Sequence, residues 1–280
     1  AGDGGAAIYN DAASPILVQC IFSGNTSSYC GGVHNRNASP AFVNCTFTGN
    51  MAYQRGGGLY NTASSPTLTG CVFDENRVLS VLDGRGGGIC NDASSNAVLA
   101  ACVFTENSAA SRGGALYNDH SSPVLNECSF RYNVAFAGGA IHNVYASPAI
   151  VNAVFFRNMS RQDGGAISNN FASPAITNST FNDNQVLGTS GIGYGGAVSN
   201  RYTSTPRLVN CVLWGDSAAS GGDEIYNYSE PAYAPTADVS YSCVEGGYSG
   251  AGNLAGDPLF EDIYASNLHL QTGSPCIDAG

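Results

Sequence analysis

The stretch Gly138 to Asn158, GGAIHNVYASPAIVNAVFFRN, returns in near copy along the whole chain, and a repeat of this kind decides the fold before any local preference does. Aligned on the Asn that closes GGAIHN, the copies fall at Asn10, Asn35, Asn61, Asn91, Asn118, Asn143, Asn169, Asn200 and Asn227, spaced 25 to 31 residues apart. A unit that short cannot bury a core of its own, so the copies must stack, one coil per repeat.

Within a copy the apolar residues alternate at period two over short runs, and Gly, Asn and Ser-Pro punctuate them, which is the signature of short strands joined by sharp turns. Ile141 and its equivalents Ile8, Val33, Leu59, Ile89, Leu116, Ile167, Val198 and Ile225 are apolar in every copy and read as inward-facing. A second strand opens on Ser-Pro, where a proline costs no ladder hydrogen bond, and points Leu17, Phe42, Leu68, Leu99, Leu125, Ile150, Ile176 or Leu208 inward. A third carries Phe22, Phe47, Phe73, Phe104, Phe130, Phe155, Phe181 or Leu213, and an Asn follows three residues later.

The Asn after GGAIH is expected at the sharp turn in the left-handed region, stacking into an Asn ladder. The reading is an all-β, right-handed parallel β-helix of about eight to nine coils, three short strands each, over residues 1–227. The irregular, Tyr-rich residues 228–280 are expected to cap its open end, because an uncovered end is an exposed sheet edge.

Composition sets the exclusions. The chain carries 21 Asp and Glu against ten basic residues, all Arg, for a net charge of −11, so a nucleic-acid backbone is repelled. No apolar run approaches the roughly 18 residues of a membrane span. The chain opens inside a repeat, at Ala1-Gly2-Asp3-Gly4-Gly5, so flanking regions are expected in a longer precursor.

Six of the ten cysteines, Cys20, Cys45, Cys71, Cys102, Cys128 and Cys211, share one inward column that also accepts Ala153 and Ser179, and they are expected as buried free thiols. A Cys243–Cys276 bridge is open. Their spacing matches no zinc pattern.

The alternation of GGA-aliphatic with Phe-x-x-Asn resembles the repeats of the chlamydial polymorphic outer membrane proteins. Together with SPTLTGCVFDEN, LWGDSAASGGDEIYN, DPLF and the terminal GSPCIDAG, the whole chain resembles secreted bacterial proteins of the choice-of-anchor Q type. The resemblance implies a pectin-lyase-like β-helix that is secreted or on the cell surface, and it carries over no catalytic residues.

The leading expectation is a structural or adhesive surface protein that presents side-chain columns to a polysaccharide or a cell-surface protein. Its candidate ligand strip is His120, Tyr145, Phe171 and Tyr202 with Asp119, beside an outward run of Tyr9, His34, Tyr60, Tyr117 and His142. A β-branched column, Ile21, Thr46, Val72, Val103, Val154, Thr180 and Val212, broken by Ser129, is a candidate for lateral self-association.

The alternative is a polysaccharide lyase or glycoside hydrolase. Its residues would be Glu75 and Glu106, with Arg131, Arg157 and Asp183 at or beside the same repeat position, and Asp92 with Asp119 makes a second adjacent pair. No cofactor is expected, and a shared cation such as Ca²⁺ is what such a carboxylate pair would attract under this alternative. Two insertions, Arg77 to Arg85 and Gln185 to Tyr194, overhang one side about 19 Å apart.

Overall fold

Each repeat folds into one coil that carries four strands rather than the three expected. In the coil built from the opening stretch they are Ile141–Val144, Ala149–Val151, Val154–Phe156 and Met159–Asp163. The computed structural model describes residues 7–188, 192–229, 232–263 and 267–277, so the opening Ala1–Gly5 and part of the second insertion lie outside the described residues.

Equivalent strands of successive coils pair in parallel and in register, giving three nine-stranded sheets and one eight-stranded sheet. The second and third sheets run on to Asp238–Ser240 and Cys243–Val244, so regular coiling passes the boundary read at Asn227. Beyond them Phe260–Asp262 and Asn267–Leu270 form a small antiparallel pair.

The fourth sheet turns small residues inward, Ala52, Val78, Ala109 and Ala135. Most of its strands are short, several of only two residues, too brief for periodicity to separate them from a turn.

The interior is built of columns. Phe47, Phe73, Phe104, Phe130, Phe155 and Phe181 stack at ring separations of 4.5–4.9 Å. The six column cysteines are free thiols beside them, and burial pushes Cys211 up to about 11.

Two Asn ladders flank the apolar core. Asn10 through Asn227 pass an amide hydrogen bond of 2.8–2.9 Å from each coil to the next. These residues form the expected ladder, but from a strand. The left-handed residue lies two positions on, at Asn37, Ala63, His120, Tyr145, Phe171 and Tyr202. A side chain that must point into the core to make its ladder cannot also be the corner of the turn.

A second ladder runs from Asn25 to Asn184. In it each Nδ2 donates to the next Asn Oδ1 and, from Asn50 on, also to the Phe carbonyl of the coil before.

The Gly pair of each repeat bends the chain from the fourth sheet back across the outer side of the first. Gly138 is left-handed at φ 66°, and a Cβ there would strike the Ile141 carbonyl. This overhang corrects the outward run. His34, Tyr60, Tyr117 and His142 are buried beneath it, and only Tyr9 is exposed.

Candidate functional site

The turn from the third sheet to the fourth uses one left-handed residue per coil, in order Gly24, Gly49, Glu75, Glu106, Tyr132, Arg157, Asp183 and Gly215. The expected catalytic set therefore lies along one edge, except that Tyr132 holds the turn position and Arg131 is the last residue of the strand before it. Rungs about 4.8 Å apart put Glu106 and Asp183 about 14 Å apart, beyond the roughly 5–10 Å of glycosidase carboxylate pairs. Glu75 and Glu106 are neighbours, and both are exposed.

Arg157 and Asp183 are brought together. Arg157 Nε donates to Asp183 Oδ2 at 2.6 Å, Gln185 Nε2 donates to Asp183 Oδ1 at 3.2 Å, and the guanidinium lies 4.8 Å over the Phe156 ring. Arg131 reaches the same ring at 5.9 Å, so this edge is an aromatic-backed cation cluster.

The C-terminal segment turns this end of the edge into a cleft. Arg157, Asn182, Asp183, Trp214, Glu245, Asp257 and the run Leu259 to Ile263 line a cavity of about 530 Å³ together with Gln271. Glu245 Oε2 is fixed by the Gly215 N–H at 2.7 Å. Asn182 is 3% exposed and donates Nδ2 to the Trp214 carbonyl at 2.6 Å, while its Oδ1 is buried with no partner. A buried acceptor without a donor costs about 1–3 kcal/mol.

Behind the cleft the second Asn ladder ends on an acid. Asp216 Oδ1 accepts from Asn184 N and Nδ2 at 2.6 and 2.7 Å, as every earlier Asn Oδ1 does. Its Oδ2 takes the place of the amide that elsewhere donates to a Phe carbonyl, and it has no partner. Glu224 packs against it, its Oε1 accepting from Asp216 N at 3.3 Å. Burial first, then the proximity of the two carboxyls, holds Glu224 well above the carboxylate range, and burial does the same for Asp216. Glu224 Oε2 is likewise buried without a partner. The sequence signal was there: the Asn column reads Asp at its last coil.

At the opposite edge His120, Tyr145, Phe171 and Tyr202 stack with centroids 4.9, 4.8 and 4.3 Å apart. Each ring covers the next, so the strip offers solvent edges rather than the faces on which sugars stack. Asp119 is taken up by His120 Nδ1 at 2.6 Å, Arg85 at 3.3 Å and the Tyr117 hydroxyl at 3.4 Å. Asp92 is likewise held by Arg55 and Tyr60. The two carboxylates are thus neutralised separately, each by its own arginine, rather than sharing one cation. The β-branched column is half-buried apart from Ile21.

The Chlamydia polymorphic membrane protein (Chlamydia_PMP) repeat matches residues 44–62 and 101–119. Each match runs from the third strand through the inner Asn and the Gly pair to the first strand of the next coil, and together they span well under half of the chain. No curated protein matches. Among solved structures, the PL6 family alginate lyase AlyGC is similar at 12% identity and a TM-score of 0.28 over 82% of this chain and 40% of that one, too slight a likeness to carry an argument. This chain is thus a parallel β-helix in which two coil units are similar to the chlamydial membrane-protein repeat.

Proposed function

We propose that the chain is a cell-surface β-helix that binds a neutral polysaccharide in the cleft formed by Arg157, Asp183, Trp214 and the C-terminal segment. The observation that carries this reading is the orphaned Oδ1 of Asn182, which lines the cleft together with Trp214. A hydroxyl-rich ligand supplies the donor, and an indole beside polar side chains suits the apolar face of a sugar. The surface location is supported by the membrane-protein repeat.

Charge argues against a uronate polymer and so against the lyase alternative. The lining sets Asp183, Glu245, Asp257, Glu261 and Asp262 against Arg157 alone, which repels a polyanion. Asp183 and Glu245 are also engaged as acceptors that hold the cleft in shape.

Calorimetric titration with neutral and uronate oligosaccharides tests the reading. Binding is expected for the neutral class, weakened about five- to ten-fold in Asn182→Ala and more in Trp214→Ala. Turnover in a reducing-end assay that disappears in Asp183→Asn or Glu245→Gln would replace binding by hydrolysis.

A further inference from the structure

The outward face of the fourth sheet takes no part in the cleft and has a chemistry unlike the rest of the molecule. Tyr53, Leu79, Phe136 and Leu187 stand on it 57%, 47%, 43% and 56% exposed. Beyond Leu79 the chain makes a tight turn, closed by Gly84 N–H donating to the Ser80 carbonyl at 2.8 Å. The tip of that turn shows Val81 and Leu82 at 75% and 91% exposed. An exposed apolar strip ending in a protruding leucine marks an interaction surface.

The charges on this face are segregated. Six of the ten arginines, Arg36, Arg55, Arg85, Arg157, Arg201 and Arg207, are paired with aspartates. Of the other four, Arg77, Arg112 and Arg161 lie in fourth-sheet strands and are exposed. The carboxylates in these segments are already taken, Asp83 by Arg55 and Arg85 and Asp163 by Arg201. Arg112 continues the column of Arg55 and Arg85 toward His142, so on a chain of net charge −11 the outward strip itself carries Arg77 and Arg161 among apolar side chains, with Glu75 and Glu106 at the turns along its edge.

We propose that this face docks on an anionic lipid surface, with Val81 and Leu82 entering the acyl boundary and Arg77 and Arg161 meeting headgroup phosphates. A protein partner would need a socket shaped for the tip and carboxylates spaced along the strands, whereas a fluid anionic surface meets both needs without a matched shape. The overall negative charge is screened beyond about 8 Å at physiological salt, so the local arginines decide the contact.

Sedimentation with phosphatidylcholine vesicles, with and without phosphatidylglycerol, tests this independently of the glycan cleft. The chain is expected to pellet only with the phosphatidylglycerol vesicles. Leu82→Asp should release it, and each of Arg77→Gln and Arg161→Gln should weaken binding about five-fold. All three side chains are exposed, so thermal melting followed by circular dichroism should stay unchanged. Failure to pellet with either vesicle, or binding equal in Leu82→Asp, would overturn the proposal. A dimer in light scattering that Leu82→Asp dissolves, with vesicles ignored, would reassign the face to self-association.

Discussion

Asp216 shows how one atom sets the behaviour of a coil. Its carboxyl and that of Glu224 bind protons more tightly folded than unfolded, since burial raises both. Their contribution is therefore present at acid pH and lost as pH rises above the unfolded carboxyl range near about 4. Asp216→Asn restores the amide donor of the ladder, and calorimetric melting should show it stabilising by roughly 1–3 kcal/mol at neutral pH and by little near pH 4; equal melting of variant and parent at both would refute the burial cost assigned to this carboxyl. His142 has the opposite sign. Burial, then Arg112, Arg85 and Arg201, pushes it down to about 3, so its contribution is present above about 6.5 and lost as pH falls toward 3. Going from pH 7 to pH 5 should cost the parent up to about 2 kcal/mol that His142→Gln does not lose, read from urea melts at the two pH values.

The element that holds the coils together is the inner Asn ladder. Asn133 donates N–H to Asn158 Oδ1 and Nδ2 to Asn158 Oδ1 and Phe104 O, and its own Oδ1 accepts twice from Asn107. Asn133→Ala leaves several buried groups without partners and should cost about 3–5 kcal/mol, whereas Asn25→Ala, at the half-exposed start of the ladder, should cost about 1 kcal/mol. Urea melts of the two variants check the contrast. The ladder, the Phe stack and the Cys column were legible because each repeats one residue type at the coil period. The fourth sheet was not, because runs such as Met51–Ala52 and Gln185–Val186 are too short to show alternation. Nor was the burial of His142 and Tyr117, since the strand pattern marks them as outward and only the Gly-led overhang covers them.

At the scale of the molecule, a solenoid distributes its parts in one dimension, and each coil leans on its neighbours alone. Side chains far apart in sequence meet where their repeat positions coincide or adjoin on neighbouring coils, as Arg157 and Asp183 do at the same position. That much of the candidate site could be read from the repeat. The cleft itself could not, because Asp257–Ile263 lie in the irregular section, where no periodicity says against which coil they fold. Trp214 is the single tryptophan of the chain, and it lines the cleft. Its fluorescence therefore reports that one place. Titrating a neutral oligosaccharide selected by the calorimetric screen should shift and saturate the emission, with the response lost in Asn182→Ala and absent for a uronate oligomer of the same length. Saturable binding with the Trp214 emission unmoved would place the ligand elsewhere and contradict the account.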